Sequence, residues 1–183
     1  MTADRHAVGR GEGRPAPRRI DAAYLRRAAL AYLERYAVPA AQLERVLLRK
    51  VDRSCRHHGD DPGAFRAAVD AIVVSCVAAG LVDDRRFAEA RAHSLRRKGR
   101  SARAVAAGLA AKGVGRDLIA ETVVADDADE LAAARIAARR KRLGPWSRGD
   151  RSALRQKQIA ALARAGFSLA IARAVIDEAG EGS

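Results

Sequence analysis

Aromatic residues are scarce: Phe, Trp and Tyr make up 4% of the 183 residues. That shortage argues against a base-stacking platform of the kind that holds single-stranded nucleic acid. It also argues against a β-sandwich, which draws on β-branched and aromatic side chains. Cysteine is rarer still. Cys55 and Cys76 are the only two, with no CxxC pair, so a disulfide framework is excluded and a reducing compartment fits. Long apolar runs are missing too. The longest, AIVVSCVAAGLV at 71–82, falls short of the about 20 residues that a membrane-spanning helix needs. The opening MTADRHAVGRGEGRPAPRRI has no apolar stretch of the signal-peptide kind, so no membrane partner and a cytoplasmic location are expected. The last shortage is of acid. There are 22 Asp and Glu against 35 Lys and Arg, a formal net charge of +13. A soluble chain so unbalanced meets a polyanion, nucleic acid above all, or a strongly acidic protein surface.

Catalytic patterns are also absent. GxxxxGK, GxSxG and HExxH do not occur. The carboxylate pairs Asp83-Asp84 and Asp126-Asp127 stand at predicted helix starts or turns, where capping accounts for them better than acid–base chemistry does. Cys55, His57, His58 and Cys76 do not match the spacing of known zinc ligand sets, and Cys76 belongs to an apolar stripe. The expectation is therefore a non-enzyme with no catalytic residue, no cofactor and no metal.

What is present is helical periodicity from Ile20 onward. Residues 1–19, rich in Gly, Pro and Arg, read as a disordered basic tail, an unstructured leader rather than a dedicated phosphate-binding arm. Leu25, Ala29, Tyr32 and Tyr36 then recur at steps of three and four, as do Leu43, Val46 and Leu47 in a second helix and Phe65, Val69, Ile72 and Cys76 in a third. The plan repeats. Phe87, Ala88, Ala92 and Leu95 share a side, Ser101 caps a helix through Val105 and Leu109, and Gly113 stops it. Later stripes run through Ile119 and Val123, Ile159 and Leu162, and Val175 and Ile176, with Gly166 as another stop. LERVLLRKV, VAAGLAAKGV and QIAALARAGF resemble one another, and Leu109 and Leu162 each precede a glycine by four residues. These patterns predict an all-α protein, an elongated tandem array of three three-helix repeats over 20–80, 81–126 and 127–183.

Positive charge gathers in two places. From residue 85 to 116 there are ten Lys and Arg against the single acid Glu89. On the predicted helix 84–98, Arg86, Glu89, His93, Arg97 and Arg100 return to one face, with Arg85 and Arg96 beside them. Cations at a helix C-terminus are good local electrostatics. The acids that would offset them at i,i+4 are missing, so the cluster points to an outside anion. The second cluster is Arg139, Arg140, Lys141 and Arg142. Trp146 nearby reads as a loop anchor on the core rather than a stacking residue. The candidate binding residues are Arg85, Arg86, Arg96, Arg97, Lys98, Arg100, Arg103, Arg139, Arg140, Lys141 and Arg142.

The stretch LVDDRRFAEARAHSLRRKGRSARAVAAGLAAKGVGRDLIAETV closely resembles the signature repeat of the bacterial RecX family, regulators of the RecA recombinase. The likeness rests on Asp83, Asp84 and Phe87, on the break at Gly99, and on Leu109 with the stop at Gly113. YLERYAVPAAQLERVLLRK is similar to the family's first unit, and ALARAGFSLAIARAVI, with Gly166 and Phe167, to its last. The chain departs from the pattern in having Val51 where the first unit would end in glycine, and in the basic connection GPWSRGDRS. The resemblance implies tandem three-helix repeats, binding along the groove of the RecA–single-stranded DNA filament by a monomer, and inhibition of RecA's ATPase, strand-exchange and coprotease activities. A stand-alone nucleoid or DNA-binding protein, whose basic helical face binds duplex DNA directly, is the rival reading.

Overall fold

A computed structural model of the chain describes residues 17–148 and 150–179. It is all-α: nine α-helices and two short 3-10 turns, with no strand among the described residues. The helices are α1 (Ala22–Leu33), α2 (Ala40–His58), α3 (Arg66–Ala78), α4 (Asp84–Arg96), α5 (Ala102–Lys112), α6 (Arg116–Thr122), α7 (Asp127–Lys141), α8 (Arg151–Arg164) and α9 (Leu169–Asp177). They close three separate cores in series. Leu25, Leu43, Leu47, Val51, Val69 and Ile72 fill the first, between α1, α2 and α3. Ala88, Ala92, Val105, Leu109 and Val114 fill the second. Ile159, Leu162, Phe167, Val175 and Ile176 pack the third against the alanine face of α7 (Ala133, Ala134, Ala137, Ala138). Among the described residues no helix is long and apolar enough to cross a membrane.

Most helix boundaries follow from capping chemistry legible in the residues. Asp21, Asp83, Ser101, Asp126, Asp150 and Ser168 each accept a backbone N–H from the first turn of α1, α4, α5, α7, α8 and α9 respectively. Three expectations need correcting. Tyr36 leaves the stripe of Leu25 and Ala29, because α1 ends at Leu33; Tyr36 is 54% exposed, its ring 5.0 Å from that of Tyr32. The chain makes no break at Val51, where the resemblance would place a glycine. Val51 is buried in the core, and α2 runs on through His57 and His58 to close at Gly59 with φ 74°. Residues 17–19, counted above with the tail, are held on this helix end, while 1–16 lie outside the described residues. The Pro17 carbonyl oxygen sits 2.8 Å from His58 Nε2, Ser54 Oγ donates to the Arg18 carbonyl at 3.0 Å, and Arg19 pairs with Asp60 at 2.6 Å. The guanidinium of Arg19 holds the Asp60 carboxyl below its usual pKa. Cys55 and Cys76 lie in the first core, where burial pushes both thiols up. Among the described residues no His, Cys, Asp and Glu group has metal-holding geometry.

The three units are joined by one repeated device, centred on the second helix of each. α2 begins at Pro39, which makes no side-chain cap, and the Ala40 N–H donates instead to Asp84 Oδ1 at 2.8 Å. Asp84 therefore caps the neighbouring unit, while Asp83 caps its own helix. α5 is treated alike: the Ala102 N–H donates to Glu130 Oε1 at 2.8 Å. Below each acid, the glycine ending the next unit's second helix closes on the same N-terminus. A Cβ on Gly113 would stand 2.6 Å from Ala41 Cβ, and one on Gly166 2.5 Å from Ser101 Oγ. Side chains fasten these contacts. Arg45 donates to the Ala111 carbonyl at 3.2 Å and Ser101 Oγ to the Ala165 carbonyl at 2.8 Å. Among the described residues, every hydrogen bond between units joins successive ones, which makes the body an end-to-end array.

Leu109 is fully buried in the second core. We expect Leu109→Ala to cost about 2–3 kcal/mol in a denaturant melt, the lower half of the Leu→Ala range. The partners in this small core, Phe87, Leu95, Leu118 and Ile119, are only half-buried and free to close part of the cavity.

Candidate nucleic-acid interface

The sequence places its cations at the C-terminal ends of α4 and α7, and the fold brings those two ends together. Gly99 is the reason. Its φ of 72° turns the chain out of α4, and its bare Cα lets that turn press on α7: a Cβ there would lie 2.7 Å from Ala137 N and 3.0 Å from the Ala133 carbonyl oxygen. Arg140 fixes the approach by donating to the Lys98 carbonyl at 2.9 Å. Between the two helix ends opens a cleft of about 520 Å³, walled by Leu95, Gly99, Ala137 and Ala165 and edged by Arg91, Lys98, Arg100, Arg140 and Lys141. No carboxylate lines it. Five cations around one concavity repel one another unless an anion enters, and a chain of phosphates supplies regularly spaced negative charge.

The other predicted residues divide into two groups. Arg86, Arg97, Arg103, Arg139 and Arg142 are exposed, outside the cleft lining. Arg142 closes α7 at φ 55°, a left-handed position that glycine usually takes. Arg85 and Arg96 are committed within the protein. Arg85 pairs with Glu121 at 2.6 Å, and the hydrogen bond raises its pKa further. Arg96 pairs with Glu130 and also donates to the Arg100 carbonyl at 3.0 Å. With side-chain exposures of 21% and 17%, the Arg96–Glu130 pair is the most shielded ion pair among the described residues. Glu130 thus ties together α4, α5 and α7. The expectation that no acid offsets this cluster needs correcting: Glu89 stands one turn from Arg85 within α4, and Glu121 and Glu130 arrive from α6 and α7.

Two contributors were missed by sequence reasoning. Arg91 completes the cleft, and its spacing of seven from Lys98 was the available signal. Gln158 is buried and holds the loop before α8: the Gly144 N–H donates to Gln158 Oε1 at 2.6 Å, and Gln158 Nε2 donates to Ser147 Oγ at 2.9 Å. Trp146 is half-buried against the third core, the loop anchor expected of it. The signature positions have structural tasks. Phe87 packs on the second core and Phe167 in the third, Leu109 fills the second, and Gly99, Gly113 and Gly166 sit at the joints between units.

Fold and cleft together define an all-helical tandem-repeat protein with a groove edged by cations between its second and third units. Residues 83–123 match the family model described as RecX, second three-helix domain. The chain is 49% identical to the Regulatory protein RecX of Myxococcus xanthus over 170 residues, covering 90% of each chain. It is 30% identical to the Regulatory protein RecX of Agrobacterium fabrum over 154 residues, 84% of this chain and 82% of that one. No solved structure matches it significantly. The chain belongs to the RecX family.

Proposed function

We propose that this protein is a regulator, not an enzyme, that binds RecA filaments on single-stranded DNA as a monomer in the cytoplasm and lowers RecA's ATPase, strand-exchange and coprotease activities. Family membership supports the RecA partner. The observation that carries the DNA contact is the five-cation cleft of Arg91, Lys98, Arg100, Arg140 and Lys141 without a carboxylate. Its position in an array of jointed units suits a body that touches several filament subunits at once, so that weak contacts sum to useful avidity. Phosphate contacts make part of the affinity salt-sensitive, and protein contacts leave a part that persists at higher salt.

The test adds purified protein, below one copy per RecA subunit, to filaments already assembled on single-stranded DNA with the free DNA filled. The expected result is a fall in ATP hydrolysis. A protein that only competes for bare DNA leaves preformed filaments untouched. Undiminished hydrolysis, with tight binding to naked DNA, would establish the rival reading of a stand-alone DNA-binding protein.

A further inference from the structure

A second concavity, of about 460 Å³, lies at the junction of the first and second units and differs in chemistry from the basic cleft. Its wall includes Val38, Leu81, Phe87 and Ala90, with Arg86 and Arg91 at its edge. Leu81 is 52% exposed although it follows the close of α3, where its N–H donates to the Cys76 carbonyl at 2.9 Å and holds the residue in place. Leu81 also borders a smaller hollow that includes Leu30, itself 41% exposed. The apolar surface is therefore continuous rather than a single stray side chain, the kind of patch that marks a protein contact.

The charges around it select the occupant. Arg86 and Arg91 are exposed and make no ion pair among the described residues. The one carboxylate on the wall, Asp83, is engaged by the Arg86 N–H at 2.9 Å and is outnumbered by the two guanidiniums, so the rim is net cationic around an apolar wall. Phe87, half-buried against the second core, is the one aromatic ring on the wall, short of the stacked platform that bases need. A second copy of this chain, at +13, would bring like charge to a cationic rim. We propose that this pocket takes an apolar anchor side chain from a protein segment whose flanking residues are Asp or Glu, and that it recognises the protein component of the filament while the basic cleft holds phosphate. The identity of that partner rests on the filament reading above; the pocket's preference for an acidic, apolar-anchored segment rests on its own walls. Arg91 borders both concavities, so the two contacts are adjacent along α4.

The test compares wild type, Leu81→Glu and Lys141→Glu for binding to preformed RecA filaments, by co-sedimentation, and to a labelled bare oligonucleotide, by anisotropy. Leu81→Glu is expected to weaken filament binding about tenfold or more, as loss of a central anchor does. Its bare-DNA affinity should stay within about twofold of wild type, because exposed substitutions off an interface are nearly neutral. Lys141→Glu is expected to weaken the bare-DNA contact. Filament binding by Leu81→Glu equal to a wild type that binds well would overturn the pocket and leave the filament reading intact. A wild type that binds bare DNA but not filaments would overturn both. A matching loss on bare DNA would assign the pocket to nucleic acid instead. A wild-type dimer that Leu81→Glu dissociates, with filament affinity retained, would assign it to a second copy. Should Leu81→Glu melt below wild type, Leu81→Ala, a truncation at a half-exposed position, decides between these outcomes by the same comparison.

Discussion

Gly99→Ala is expected to lower the melting temperature by on the order of 10 °C, from about 2–5 kcal/mol lost at about 2–4 °C each for a chain of this size. The figure combines two effects. Any side chain at a φ of 72° costs about 1–2 kcal/mol. The new methyl also meets Ala137 N at 2.7 Å and the Ala133 oxygen at 3.0 Å, both backbone atoms of α7 that cannot step aside without opening the joint, an overpacking cost of about 1–3 kcal/mol. Gly59→Ala is the matched control. Its φ is 74°, yet nothing lies within 4 Å of the Cβ it would gain. Calorimetry of the two variants separates backbone strain, common to both, from the joint, present only at Gly99. Since stability in a repeat array is a sum of units and interfaces, Gly99→Ala should also broaden or split the transition as the third unit uncouples. Equal losses in the two variants would mean that the joint gives way at no cost.

The largest functional effect should follow reversal of two cleft charges that have no structural duty. Lys98 and Lys141 edge the cleft with exposed side chains. Arg140 is a poorer choice because it also secures the α4 carbonyl end, and Arg96 poorer still because it braces the joint. The double variant Lys98→Glu/Lys141→Glu removes two charge-assisted contacts at about 1.5 kcal/mol each, which amounts to about a hundredfold in affinity for single-stranded DNA. The dependence on salt provides a second readout. Each lost phosphate contact on a single strand flattens the slope of log K against log salt by about 0.7, so the variant's slope should be shallower by about 1.4. Wild-type affinity and slope in anisotropy titrations would show that these lysines face solvent only. The melting temperature should hold, because surface substitutions shift stability by no more than about 0.5 kcal/mol.

Local chemistry made much of the fold legible. Apolar spacing located the stripes of Val69, Ile72 and Cys76 and of Val105 and Leu109, and short polar residues marked the helix starts at Asp83 and Ser101. These signals act within one turn, so a linear reading catches them. The cleft was half legible for the same reason: cations pile up at the C-terminal ends of α4 and α7, but only the packing of Gly99 on Ala137 makes those ends one place. The misjudged points at the cleft and the joints involve distance along the chain. Arg85 and Arg96 looked uncompensated because Glu121 and Glu130 come from 36 and 34 residues away. Asp84 looked like a second cap for α4, yet its acceptor serves α2. Gln158 gave no sign at all, since a glutamine in a polar stretch of helix is ordinarily exposed.

The direction of the shared caps bears on how the chain matures as it is made. The second helices of the first two units borrow an acid from the unit that follows, whereas α8 relies on its own Asp150, which accepts the Ser152 N–H at 2.8 Å. Dependence therefore runs from the N-terminal end toward the C-terminal end, against the order of synthesis. When Ala40 leaves the ribosome, its partner Asp84 is still 44 residues away, about 2–9 s at ordinary elongation rates of about 5–20 residues per second. Until then the start of α2 has only water for its free N–H groups. The second unit waits for Glu130 only at the Ala102 N–H, since its own Ser101 already takes the Ala104 N–H, so each of the first two units is completed by the one made after it.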